Sequence, residues 1–149
     1  MEELKDITAR KDIELLVDRF YEQVRTNETL SEFFRHVNWS VHLPIMYSFW
    51  SSAILGEQSY RGNPFQKHLH LAIGKKHFDT WLTLFKRTVD ENFKGENADQ
   101  IKSRAEDIAS VFQHKMNLMV WSDPDLVTLK VKFPLFLHFF NRPYYGFDS

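Results

Sequence analysis

The sequence predicts an all-α domain. Apolar residues recur every three or four positions through four long stretches, and turn-forming residues gather between them, above all at Gly62, Asn63 and Pro64. The strand-like alternation of Leu129, Val131 and Phe133 with Lys130 and Lys132 is confined to the end of the chain. At 149 residues, 43% of them hydrophobic, the chain is long enough for one cored domain and too short for two of ordinary size.

The first stretch places Ile13, Leu16, Val17, Phe20, Tyr21 and Val24 on one helical stripe, with Thr8 or Asp12 available to cap its start. Tyr21 falls within the stripe, away from Asp18, Arg19 and Glu22, so its hydroxyl points inward and needs a polar partner. A short helical corner follows, with Leu30, Phe33, Phe34 and Val37 at helical spacing; Phe34 is its best candidate to reach a neighbouring pocket. The second long helix runs from a Ser40 cap to a stop at Gly56, with Pro44 tolerated near the first turn. Its stripe is His42, Met46, Phe49, Trp50 and Ala53. Taken alone, His42 at the end of that stripe reads as a partly solvated structural histidine. The segment from Glu57 to Lys76 reads as loop with a short central helix. Phe78, Trp81, Leu82, Phe85 and Val89 then form the face of a third helix that Gly95 closes. The fourth opens with Asn97 and Gln100 as a variant capping box and carries Ile101, Ala105, Ile108, Ala109, Phe112 and Met116. Small Ala105 and Ala109 permit close helix packing.

Bulk properties remove several function classes. A net charge of −1 without a Lys/Arg cluster supplies no field for nucleic acid. The absence of cysteine excludes disulfides, thiolate catalysis, iron–sulfur ligation and a Cys-ligated haem. The first residues lack the apolar core of a secretory signal and no apolar run nears the ~20 residues of a membrane span, so a cytoplasmic protein with no membrane partner is expected. Fourteen Phe, four Trp and five Tyr are many flat side chains for this length, which composition alone assigns to an aromatic core.

The segment GNPFQKHLHL, Gly62 to Leu71, stands apart. His68 follows a tight turn and has Phe65, Leu69 and Leu71 as apolar neighbours. A neutral imidazole so placed can serve as axial ligand to a flat metal cofactor. Two other readings stay open on these residues: a zinc site of His68, His70 and His77 with Asp79 as the nearby acid, and a ligand-free helical adaptor that uses the apolar tail as its contact surface.

In combination, DRFYEQVR, WSVHLPIMYSFW, LGEQSYRGNPFQKH, HFDTWLTLF and RAEDIASVFQHK resemble group III of the truncated haemoglobins, in that family's order over roughly residues 5 to 116. The Gly-Gly loop signatures of groups I and II are absent. The resemblance implies two-over-two helix packing around haem b in residues 1–116 and an extension, 117–149, of its own. It implies that His68 is the proximal iron ligand, that Tyr21, His42 and Trp81 face a bound O₂, NO or CO, and that Phe34 and Met46, with His42 and Trp81, line the haem. Two donors on a charged oxygen would slow O₂ release by on the order of a hundredfold to several thousandfold, which suits sensing or haem redox chemistry (nitrate formation from NO, peroxide handling, with a reductase as partner) rather than bulk oxygen transport. The Phe-rich tail is expected to pack on the domain or on a second subunit, giving self-association.

Overall fold

The computed structural model describes residues 3–35, 37–60 and 74–122, with only the helical backbone described at 112 and 115–122. All regular structure among the described residues is helical. It comprises α1 (Arg10–Thr26), a 3₁₀ turn (Ser31–Phe34), α2 (Trp39–Leu55), α3 (Lys75–Asn92) and α4 (Glu96–Ser122). The expected loop around His68 and the strand-like tail lie outside the described residues.

Outside α2, which is apolar nearly all round, the helices form where the apolar period is 3.6. On α1, Ile13, Leu16, Val17, Phe20, Tyr21 and Val24 are all buried while Lys11, Leu15, Arg19 and Glu22 line the other side. This helix packs against both α2 and α3; α3 packs on α4, and α4 also touches α2. Two helix pairs thus lie one on the other, the arrangement expected of the resemblance. Ala98, Ile101, Ala105 and Ala109 are the buried face of α4, small enough at three of four positions for a close approach.

The helix ends depart from the expectations. On α1, Ala9 occupies the N-cap and Asp12 acts from the third helical position, its carboxylate accepting from the backbone N–H of Thr8 (3.0 Å) and Ala9 (3.1 Å) and from Lys5 (2.7 Å). Asn38, not Ser40, is the N-cap of α2; Ser40 donates back to Asn38 Oδ1 at 2.7 Å, and Pro44 falls in the second turn. Gly56 does end α2, with φ of 75°. Gly95 does not close α3, which stops at Asn92 with Phe93 extended. It precedes α4 instead, with φ of 147° and so little space that a Cβ would lie 2.4 Å from Asp6 Cγ.

That contact exists because Asp6 caps α4. Its carboxylate accepts from the N–H groups of Asn97 (3.0 Å) and Ala98 (2.9 Å), two of the unpaired donors at a helix start. The Asn97 side chain is turned away from its own helix and donates to Ile7 O at 2.7 Å, so the local Asn97 and Gln100 capping box does not form. The segment before α1 is thereby pinned to the start of α4. Burial works to raise the Asp6 pKa, but the backbone donors of Asn97, Ala98 and Ile7 outweigh it and hold the carboxyl below its ordinary value. No described helix is long and apolar enough to cross a membrane.

Candidate functional site

Four aromatic side chains from three elements meet at one end of α1. Tyr21 comes from the inward stripe of α1, Phe34 from the 3₁₀ turn, and Trp39 and His42 from the first turns of α2, where their spacing of three puts both rings on one side. The Tyr21 ring lies 5.0 Å from His42, 5.2 Å from Trp39 and 5.8 Å from Phe34, centroid to centroid. Trp39 stacks on Phe34 at 5.9 Å and 18°, and meets His42 at 5.3 Å. These four rings pack against one another as a cluster, the aromatic cage.

Burial differs within it. His42 is 0% exposed, which overturns the partly solvated reading: it sits under Tyr21, Phe34 and Trp39 instead of at a helix rim. Tyr21 and Phe34 are each 4% exposed, and Met46, one turn beyond His42 on α2, is buried too. The Tyr21 hydroxyl makes no hydrogen bond among the described residues. Burial pushes its pKa well above the ordinary tyrosine value, so the phenol keeps its proton across the physiological range. With no partner among those residues, the hydroxyl is free to donate to a group that comes against it.

Trp81 stands one ring away. Its indole stacks on Phe85 at 5.5 Å and 12°, Phe85 stacks in turn on Trp50 at 4.8 Å, and Phe20 meets Trp81 edge-on at 5.9 Å. Phe20 also contacts Tyr21 at 4.9 Å, so it is the ring between the two donors. The indole N–H has no hydrogen bond among the described residues either. The structure therefore brings Tyr21, Phe34 and His42 into contact and sets Trp81 beside them on a rigid stack. His68 lies outside the described residues.

Two residues at the cage escape a reading by periodicity. Trp39 lies beyond a stripe that begins at His42; one step of three residues back along α2 reaches it. Arg25 reads as a surface charge, yet its guanidinium carbon sits 4.1 Å from the centre of the Trp39 ring.

The residues present fit the distal side of a haem pocket: flat apolar side chains for a porphyrin and a Tyr21 hydroxyl with no bond among the described residues for a polar ligand. His77, a candidate zinc ligand by sequence, spends Nδ1 accepting the Gly74 N–H at 2.9 Å and packs its ring on Phe33 at 4.8 Å. Burial lowers its pKa, with Lys76 adding to the effect and Glu32 opposing it.

Comparison with known proteins gives the family. The sequence model described as bacterial-like globin matches residues 5–117. The group 3 truncated haemoglobin of Campylobacter jejuni is 32% identical over 114 residues, 72% of this chain and 90% of that protein. The crystal structure of the group III truncated haemoglobin from the same organism superposes with a TM-score of 0.71 at 30% identity, covering 76% of this chain and 95% of that one.

Proposed function

The chain belongs to the bacterial-like globins and, within them, to the group III truncated haemoglobins, which bind diatomic gases at haem; from that premise we propose that His68 holds haem b and that Tyr21 and Trp81 retain O₂ beside it. When bound, haem supplies an iron with one position open to O₂, NO or CO. The chain's own residues set how long each gas stays.

The observation that carries this reading is the Tyr21 hydroxyl, 4% exposed as a residue and without a hydrogen-bond partner among the described residues. A hydroxyl left so has its bond available for a polar ligand. O₂ held in the cage carries partial negative charge and gains from such a donor; CO, less polarised, gains much less. Trp81 is the second donor, its ring fixed by Phe85 and Phe20. His42, buried against Tyr21, governs passage more than retention. Phe34 and Met46 supply apolar wall.

Two charge-assisted bonds of about 1.5–3 kcal/mol each slow release by roughly a hundredfold or more. A protein that lets O₂ go so slowly serves sensing or redox chemistry better than transport. Conversion of NO, O₂ and one electron to nitrate fits, with a reductase supplying the electron, as does peroxide handling. The cytoplasm is the compartment where such a reductant is at hand. Residues 1–116 form the globin unit, and the Phe-rich composition of 117–149 favours self-association.

The test is the O₂ dissociation rate of the Tyr21→Phe/Trp81→Phe double variant. The reading requires a rise of about a hundredfold or more, and a rate within about twofold of the parent would reject it.

A further inference from the structure

We propose that Arg25 is a positioning residue that holds Trp39 closed over the cage, so that the pair discriminates incoming ligands by size; this rests on the haem reading above. Three members of the cage, Tyr21, Phe34 and His42, are buried, and Trp39 is the half-buried one. Trp39 contacts all three. Beyond it stands Arg25, exposed, 4.1 Å from the ring centre. From solvent inward the order is thus Arg25, Trp39, then His42 and Tyr21. Whatever passes between α1 and the start of α2 displaces this indole.

The arrangement follows from spacing. Arg25 is four residues after Tyr21 on α1, one turn above it on the same side. A helix that turns Tyr21 toward the cage therefore brings Arg25 over its rim. The guanidinium is planar, permanently charged and suited to lie on an indole face, where it adds attraction to a ring that Phe34 already supports by stacking. Opening costs the loss of that contact. A diatomic gas needs only a small fluctuation of the indole, whereas a ligand several atoms long needs the ring to leave.

The predicted consequence is a change in association selectivity with no change in retention. In Arg25→Ala, the association rate of n-butyl isocyanide rises by about two- to fivefold, the range set by an exposed cation–π contact, while that of CO changes less. The O₂ dissociation rate stays at the parent value, because Tyr21 and Trp81 are untouched. Arg25→Lys keeps a cation over the ring and restores most of the selectivity. Both probes are uncharged, so altered electrostatic steering does not imitate the effect.

A second readout needs no haem. The Trp39 indole N–H, identified by its loss in Trp39→Phe, should exchange with solvent about two- to fivefold faster in full-length Arg25→Ala than in the parent. Equal isocyanide selectivity in parent and Arg25→Ala, or equal indole exchange, overturns the proposal. A parent protein without a haem spectrum would reject the haem reading, and the exchange rates alone would then decide whether Arg25 holds the ring.

Discussion

Replacing Tyr21 with Phe separates function from stability more cleanly than any other change in the cage. The substitution deletes one oxygen. The ring keeps its neighbours: Phe20 at 4.9 Å, His42 at 5.0 Å, Trp39 at 5.2 Å and Phe34 at 5.8 Å. Because the hydroxyl bonds to none of the described residues, its removal orphans no partner there. With no bond lost among those residues, the ligand-free ferrous protein should hold its stability to within about 1 kcal/mol in urea denaturation. The same change removes a donor from O₂ worth about 1.5–3 kcal/mol, so O₂ should leave roughly tenfold to a hundredfold faster in a stopped-flow displacement by CO. Retention therefore changes while stability does not. A loss of more than about 1 kcal/mol of stability with an unchanged O₂ dissociation rate would show that the hydroxyl serves the fold instead, and would refute its role in retention.

Trp81→Phe should speed O₂ release by about tenfold while shifting CO release by less than about threefold; equal effects on both gases would mean lost packing rather than a lost donor. His42→Leu should alter association rates more than dissociation rates, and the reverse would remove its role in passage. Asp6→Ala should cost about 1–2 kcal/mol through the two α4 donors it leaves open, and its cost should add less than fully to that of Gly95→Ala in urea denaturation, since the Cβ of an alanine at 95 would clash with Asp6 itself. His77 has a lowered pKa in the folded protein, so the unfolded chain binds its proton first: stability falls as pH drops below the unperturbed 6.5, and His77→Gln should flatten that slope. Asp6 and Asp12, also lowered, contribute stability that is lost only at more acid pH, below their unperturbed 3.8. An acid-side slope identical in parent and His77→Gln would contradict the lowering of the His77 pKa by burial.

Amphipathic elements are legible in the sequence and non-local ones are not. On α1 and α4 a polar face opposes an apolar one, so the period alone names the buried residues: Tyr21 inward, Ala105 and Ala109 at the contact. The second helix is apolar nearly all round, so period does not choose its faces, and Trp39 is lost at its edge. Helix caps fail for a different reason. Thr8, Ser40 and Asn97 are all plausible cap residues next to their helices, but the α4 donors are taken by Asp6, some ninety residues earlier in the chain. Gly95 resembles a stop for α3 when its positive φ serves the start of α4. Thr88 is a further case: buried on α3, it donates to Leu84 O at 2.7 Å and accepts from Gln23 at 2.8 Å, a pairing that no spacing rule announces. Part of the site is visible as a set of residue types, because Tyr21, His42 and Trp81 lie in segments that resemble one family; Trp39 and the mutual distances need the fold.

The bond from His68 to haem iron is tested most directly by absorption spectra of the purified protein and of His68→Ala, each in ferric, ferrous and CO-bound forms. The parent should show an intense Soret band that shifts on reduction and on CO binding, and His68→Ala either no haem or a spectrum without histidine ligation that imidazole added to the buffer restores. A parent without a Soret band, or a His68→Ala variant spectrally identical to the parent in all three forms, would contradict that bond.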